Sequence, residues 1–218
     1  MKTVIPLINK AKKASLFLKQ IDRSRVKKIL NDMAESLENN LDIILELNTH
    51  DMKNGHAMHL SPIAMDRLCI KKEQIFNISE KARIYAENTD ILLLKNDENI
   101  DISPPSLYAV IYESRPYISA EAAIQAFAAG HAIILRGGKE GFHTNTAIVS
   151  ILGDVLEKNG LPRALITLIP TTDRVAIAEL MTLKDELDYI IPRGSEGLIT
   201  YIRKNSKVKV ATHLANVY

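Results

Sequence analysis

The sequence contains one cysteine, Cys69, so it cannot form an intramolecular disulfide. Its longest apolar runs, such as residues 126–129 and 132–135, are far too short to span a bilayer. The N-terminal residues lack the apolar stretch and the small-residue cleavage site of a signal peptide. These absences argue against a disulfide scaffold, a membrane-spanning protein and an exported protein, and they predict a cytoplasmic one.

The composition is that of an ordinary globular protein. Hydrophobic residues make up 46% of the chain and charged residues 25%, well away from disordered compositions. A length of 218 residues suffices for one sizeable α/β core, or for one domain with a small appendage. No internal repeat or low-complexity tract interrupts the sequence.

Basic residues are concentrated near the N-terminus, where residues 1–30 contain nine lysines and arginines but a single acid, Asp22. Such a segment can mark a nucleic-acid-binding surface. Only one aromatic residue, Phe17, lies among these cations, and no nucleic-acid-binding module follows. We therefore favour a solvated helical face and expect no nucleic-acid partner.

The first 90 residues have the periodicity of helices. Apolar residues recur at three- and four-residue steps from Val26 to Leu45, which predicts one amphipathic helix capped by Asp22 or Ser24 and ended near residues 54–55. A further helix is predicted over residues 61–85.

Beyond residue 90 the pattern becomes β-like and then alternating. Short apolar runs on either side of a turn-rich stretch predict a small hairpin within residues 91–106. The elements predicted after it are strands 107–112, 132–135, 165–169, 189–191 and 208–211, and helices 119–129, 144–159, 173–181 and 196–204. This alternation indicates an α/β fold with a Rossmann-like parallel sheet and flanking helices.

Ligands of such sheets bind at the carboxyl ends of the strands, so the loops there are the candidate sites. One loop contains Arg136, Gly137, Gly138 and Lys139, in which glycines allow close approach of an anion and the cations attract it. The other contains Arg193, Gly194, Ser195, Glu196 and Gly197, and it opens into a helix whose N-terminus favours phosphate. Either loop could also be a simple turn, because neither matches a complete phosphate-binding motif.

A third candidate follows the first strand of the predicted sheet. Glu113, Ser114 and Arg115 place an acid, a hydroxyl and a guanidinium in one strand-to-helix turn. The alternative is structural, with Ser114 capping the next helix and Glu113 pairing with Arg115.

We predict no metal centre. His50, His56 and His59, near Asp51, fall in a predicted loop, match no closed metal-binding motif and are joined by no cysteine. Cys69 lies on an apolar face of the helix predicted over residues 61–85, which favours a buried, inert thiol over a nucleophile.

Three stretches of the sequence stand out: Ile-Tyr-Glu-Ser-Arg-Pro at residues 111–116, Ala-Ile-Ile-Leu-Arg-Gly-Gly at 132–138 and Ile-Ile-Pro-Arg-Gly at 190–194. In order and spacing, these stretches together resemble the signature sequences of γ-glutamyl phosphate reductases. Shorter similarities occur at residues 65–68, 160–162, 173–174 and 213–214.

The resemblance implies an enzyme of the aldehyde dehydrogenase type. Such reductases use NADPH to reduce L-glutamyl 5-phosphate to glutamate 5-semialdehyde in proline biosynthesis, through a cysteine thioester that receives hydride. By analogy, the resemblance implies that the loop of residues 136–138 is near the adenosine end of the cofactor. The loop of residues 193–197 faces the pyrophosphate, and Glu113, Ser114 and Arg115 lie on the substrate side.

The sequence departs from the family pattern at Tyr117 and Ser195, where the family has asparagine and glycine. His213 and Leu214 are followed by four residues rather than by the family's catalytic cysteine, so we expect the catalytic domain to be absent and NADPH binding to be weak or lost. Two interpretations remain: part of a reductase, or a truncated, non-catalytic paralogue that binds a nucleotide or a protein partner.

The resemblance also suggests a domain organisation. We expect a helical segment over residues 1–90 that packs on a nucleotide-binding domain over residues 107–218, with the hairpin between them. A protein partner or a second copy of the chain could cover the face left by the catalytic domain.

Overall fold

The computed structural model describes residues 4–88 and 106–211. The predicted hairpin and the His213-Leu214 pair lie outside these residues. The first part is helical, as its periodicity predicts, and a short 3-10 segment, Leu16–Gln20, follows the first helix. Its helices are α1 (Ile5–Ser15), α2 (Arg23–Asn39), α3 (Leu41–Ala57), α4 (Pro62–Leu68) and α5 (Lys72–Glu87).

The first long helix predicted from sequence is in fact two helices. Asp22 caps α2 as expected, its side chain accepting a hydrogen bond from the Arg25 amide. The chain then breaks at Asn40. The predicted end at residues 54–55 is also wrong, because α3 continues to Ala57 and Gly55 lies inside it. A Cβ at Gly55 would lie 2.8 Å from the Met65 sulfur, so this glycine permits close packing of α4 rather than ending a helix.

The second predicted helix is also divided. Ser61 caps α4 by accepting from the Ala64 amide, and α4 ends before Cys69. The buried side chain of Asn48 stabilises the break between α4 and α5. Its Nδ2 donates to the Leu68 carbonyl at 2.9 Å, and its Oδ1 accepts from the Ile70 amide at 2.8 Å. These bonds satisfy backbone groups that a continuous helix would have paired internally.

The second part alternates strands and helices as predicted. Its strands are β1 (Leu107–Tyr112), β2 (Ala132–Arg136), β3 (Ile166–Leu168), β4 (Tyr189–Arg193) and β5 (Lys209–Val210). Its helices are α6 (Ile118–Ala128), α7 (Phe142–Lys158), α8 (Val175–Leu180) and α9 (Glu196–Asn205). Gly160, with φ of +69°, ends α7 in the left-handed conformation expected after a helix.

The strands form one parallel sheet in the order β3-β2-β1-β4-β5, which confirms the predicted fold class. β1 and β2 are buried along their whole length because helices cover the sheet. The order reverses between β1 and β4, whose registered ends pair Tyr112 with Arg193. In an open α/β sheet, this reversal opens a crevice at the carboxyl edge where ligands bind.

The N-terminal helices pack on the sheet and on its helices. Helix α1 contacts β1, β2 and β3, whereas α2, α3 and α5 pack against α6 and α7. The buried apolar residues of both parts form one continuous core. Among the described residues, no helix is long and apolar enough to cross a membrane.

Candidate functional site

The carboxyl edge of the sheet opens into a pocket of about 1030 Å³, which we call the carboxyl-edge pocket. Three loops form its floor: the β1–α6 loop (residues 113–117), the β2–α7 loop (137–141) and the β4–α9 loop (194–195). Its walls come from α4 and the segment before it, from α8 and α9, and from the segment after β3: Leu60, Ala64, Arg67, Thr172, Arg174, Ile177, Leu198 and Tyr201.

The pocket collects most of the residues predicted from sequence. Nine of the twelve candidates line it: Glu113, Ser114, Arg115, Arg136, Gly138, Lys139, Gly194, Ser195 and Gly197. Loops that are far apart in sequence therefore meet at one place, as parallel topology requires. Their roles toward a ligand remain predictions.

Gly137, Arg193 and Glu196 do not line the pocket. The Arg193 guanidinium turns to α6, where Nη1 contacts the Glu121 carboxylate at 3.1 Å, and Lys81 of α5 contacts the same carboxylate at 2.9 Å. Arg193 thus joins the sheet to two helices instead of pointing toward the pocket.

Gly137 is required by packing below the pocket floor. A Cβ there would lie 2.3 Å from Asn145 Nδ2 and 3.0 Å from the Tyr112 ring. These two side chains belong to a buried chain of hydrogen bonds from Tyr112 Oη to Ser119 Oγ (2.5 Å) and on to Asn145 Oδ1 (2.9 Å). Burial raises the pKa of Tyr112, which keeps the hydroxyl protonated as a member of this network.

Arg136 is the one buried cation of the pocket among the described residues, with 6% of its surface exposed. Its Nη2 donates to the carbonyls of Thr172 (2.8 Å) and Asp173 (3.3 Å), which fixes the guanidinium, while the buried Nε has no partner in the described chain. Burial lowers the pKa of Arg136, and the neighbouring Glu140 acts against that shift. A buried donor without an acceptor is costly, which favours a ligand acceptor at this position.

Four further cations surround the pocket: Arg67, Arg115, Lys139 and Arg174. Within residues 4–88 and 106–211, none of their side chains forms a hydrogen bond or an ion pair. The lining acids are Glu113 and Glu140. The pocket therefore has an excess of positive charge and suits an anionic ligand.

Each predicted glycine loop already holds a carboxylate of the protein itself. A Cβ at Gly138 would lie 2.1 Å from Glu140 Oε1, and one at Gly194 would lie 2.7 Å from Glu113 Oε2. The anion that lies against each glycine is thus a side chain of the protein, and close approach of a ligand anion stays a prediction.

The structural alternative for residues 113–115 is wrong. Ser114 does not cap α6, whose first turn begins after Tyr117 with no side-chain cap. Its amide and hydroxyl donate to Glu140 instead. Glu113 accepts from the Ser195 amide at 3.0 Å rather than pairing with Arg115.

Ser195 fits its position without strain. Its φ of −65° is ordinary, and its Oγ accepts from the Leu198 amide as the cap of α9. A serine in place of the family's glycine therefore strengthens the start of this helix.

Sequence reasoning missed Arg67, Arg174 and Glu140 as site residues. Arg67 and Arg174 lie in the short similarities at residues 65–68 and 173–174, which were the available signal. Glu140 directly follows Lys139, but nothing in its spacing shows that it folds back onto Gly138.

The predicted histidine loop is also wrong. His50 and His56 lie within α3, and no group of three or more metal-ligating side chains occurs in the part of the chain that the structure describes. Cys69 is only half-buried and follows the last residue of α4, so the prediction of a buried thiol on a helical face is wrong too.

The fold has solved counterparts. An acetylating aldehyde dehydrogenase from Geobacillus thermoglucosidasius superposes with a TM-score of 0.70 at 19% identity, over 95% of this chain and 44% of that one. This chain therefore shares its fold with part of that aldehyde dehydrogenase.

Proteins of similar sequence indicate a more specific group of enzymes than the fold does. γ-Glutamyl phosphate reductases from Colwellia psychrerythraea and Nautilia profundicola are 35% and 36% identical to this chain, over 98% and 97% of its residues and 53% and 54% of their own. The Thermotoga maritima γ-glutamyl phosphate reductase superposes with a TM-score of 0.85 at 27% identity, over 99% of this chain and 54% of its own. No protein-family profile matches.

The chain is therefore a relative of the γ-glutamyl phosphate reductases and corresponds to their N-terminal part. It spans about half the length of the curated relatives it matches.

Proposed function

We propose that the chain binds NADPH in the carboxyl-edge pocket and supplies the cofactor-binding part of a γ-glutamyl phosphate reductase. The observation that carries the proposal is the convergence of five pocket cations, one of them the buried Arg136, at the point where the strand order reverses. A doubly wound, Rossmann-like sheet binds dinucleotides at this crevice.

The residues present fit such a ligand. The pocket volume of about 1030 Å³ is at the upper end of the range for small-molecule sites, which suits a molecule as large as a dinucleotide. NADPH carries three phosphate groups, and the unpaired donors of Arg136, Lys139 and Arg174 lie beside the β2–α7 loop to receive them.

Bound NADPH would supply a hydride for reduction of L-glutamyl 5-phosphate to L-glutamate 5-semialdehyde and phosphate. The contribution of this chain is to hold the phosphates with its cations and to fix the three loops around them. Glu113, Ser114 and Arg115 remain candidates for the substrate side, because they lie on the β1–α6 loop at the same pocket.

Removing two exposed pocket cations tests the binding directly. We expect the 218-residue chain to bind NADPH with a Kd on the order of 0.1–1 mM, since one side of the pocket is open to solvent. Lys139→Ala combined with Arg174→Ala should weaken binding about tenfold or more through loss of charge-assisted hydrogen bonds. Isothermal titration of NADPH and NADH measures both affinities and the preference for the 2′-phosphate.

The control is Lys184→Ala, an exposed lysine outside the pocket. It should bind NADPH as the unmodified chain does. If the unmodified, folded chain binds no NADPH at millimolar concentration, the proposed function is wrong.

A separate prediction concerns catalytic activity. The 218 residues by themselves should not reduce glutamyl phosphate, because formation of a thioester needs a thiolate beside the bound nicotinamide. Their single thiol, Cys69, does not line the pocket, and its Sγ contacts the Ile70 carbonyl at 4.0 Å. An assay with NADPH and enzymatically generated glutamyl phosphate tests this, and turnover that Cys69→Ala abolishes would refute it.

A further inference from the structure

Two carboxylates tie together the three loops of the carboxyl-edge pocket. Glu113 of the β1–α6 loop accepts the Ser195 amide of the β4–α9 loop at 3.0 Å. Glu140 of the β2–α7 loop accepts from Ser114 of the β1–α6 loop, through the amide at 2.6 Å and the hydroxyl at 2.9 Å. Every loop of the pocket floor is thus joined to another by a carboxylate.

Ser114 is held in an unfavourable conformation. Its φ of +43° lies in the left-handed region, where a residue with a Cβ is uncommon. Such outliers persist only where surrounding contacts enforce them, and they cluster at ligand sites. Here the amide and the hydroxyl of Ser114 both donate to one oxygen, Oε1 of Glu140.

Glu140 is placed to exert this constraint. Its side chain is folded back against Gly138, where a Cβ would lie 2.1 Å from Oε1, and only 9% of the residue is exposed. Its negative charge offsets part of the cost of burying the Arg136 guanidinium, but it should also repel a phosphate bound in the pocket.

We propose that Glu140 is a positioning residue for the nucleotide: it locks Ser114 in the left-handed conformation and thereby keeps Arg115 and the β1–α6 loop at the pocket. The proposal rests on the proposed function, and it adds that this acid supports anion binding despite its charge. Without the carboxylate, the backbone of Ser114 should return to a more common conformation. The neighbouring Arg115 guanidinium should then move away from the pocket.

A double-mutant cycle separates this role from competition between Glu140 and the ligand. Glu140→Ala removes both the charge and the acceptor, whereas Glu140→Gln removes the charge but keeps an acceptor oxygen. Ser114→Gly makes the left-handed conformation free of steric cost, so that the lock is no longer needed. The exposed carboxylate of Glu46 in α3 gives a control, Glu46→Ala.

We expect Glu140→Ala to raise the Kd for NADPH about tenfold and Glu140→Gln to raise it less than about threefold. Glu46→Ala should bind NADPH as the unmodified chain does, and Ser114→Gly is the background against which the loss from Glu140→Ala is measured a second time. The double variant with Glu140→Ala and Ser114→Gly should bind NADPH with a Kd within about threefold of that of Ser114→Gly alone. Tighter binding by Glu140→Ala, or an equal loss in the Ser114→Gly background, would overturn the proposal.

If the proposed function itself is wrong, the unmodified chain binds no NADPH, which differs from the two outcomes that would overturn the role of Glu140. The constraint on Ser114 is then tested by urea unfolding of four of these proteins: the unmodified chain, Glu140→Ala, Ser114→Gly and the double variant. Glu140→Ala should lower the unfolding midpoint clearly in the unmodified chain and much less in the Ser114→Gly background. Equal losses in both backgrounds would show that Glu140 does not constrain Ser114.

Discussion

Replacement of Asp51 by alanine is expected to lower the free energy of unfolding by about 4 kcal/mol. Asp51 is fully buried, and its carboxylate accepts three hydrogen bonds from the first turn of α7. The donors are the His143 amide at 3.2 Å, the Thr144 amide at 2.8 Å and the Thr144 hydroxyl at 2.6 Å. Alanine leaves the two buried Thr144 donors without this acceptor, and urea denaturation measures the loss.

Two variants bracket this effect. Asp51→Asn keeps one oxygen acceptor and should cost about 2 kcal/mol. Asp42→Ala removes an exposed aspartate from the same helix, α3, and should cost less than about 1 kcal/mol. A cost for Asp51→Ala no greater than that of Asp42→Ala would mean that water replaces the carboxylate at the start of α7.

Stability should also fall in mild acid because of His131. Burial lowers the pKa of His131 from the ordinary value of 6.5 to about 4, and its Nδ1 accepts from the Ser106 amide at 3.1 Å. The unfolded chain therefore takes up a proton at His131 at higher pH than the folded chain does. This contribution to stability is complete above pH 6.5 and is lost as the pH falls to 4, by about 3 kcal/mol in total.

The His131→Gln variant isolates this contribution. Glutamine can still accept from Ser106 but does not titrate, so the free energy of unfolding between pH 7 and pH 5 should fall by about 2 kcal/mol less than in the unmodified chain. Equal pH slopes for His131→Gln and the unmodified chain would contradict the prediction.

Asp51 and Asn48 belong to one buried polar cluster that connects α3 to the pocket side of the sheet. Asn48 Nδ2 also contacts the Thr144 hydroxyl at 3.3 Å, so α3, the break after α4 and the start of α7 share hydrogen bonds. α4 carries Arg67 at the pocket wall. The N-terminal helices therefore help to shape the carboxyl-edge pocket rather than merely covering the sheet.

Much of the fold could be predicted because its signals are local. Each strand is a short apolar run bounded by polar turns, and each of the last four helices has a helical repeat of apolar residues with recognisable ends. The boundaries of the elements predicted from residue 107 to residue 211 therefore match the observed ones to within three residues. The candidate loops followed from a rule of topology: parallel strands bring their carboxyl ends to one edge.

The errors occurred where long-range contacts outweigh local preference. Helical periodicity continues across Asn40 and Cys69, and the second of these breaks is stabilised by Asn48, which lies twenty residues away in sequence. The glycine of the Asn54-Gly55 pair predicted a helix end, but α4 packs against that glycine from outside.

By itself, the sequence determined the parallel α/β sheet, its edge as the candidate site, and the similarity to γ-glutamyl phosphate reductases. Only the tertiary structure decided which side chains face the pocket: Arg193 turns away to Glu121, whereas Glu140 turns inward to Ser114. Side-chain direction in a loop depends on partners brought together by folding, and the cost of leaving a buried charge or amide unpaired selects among them.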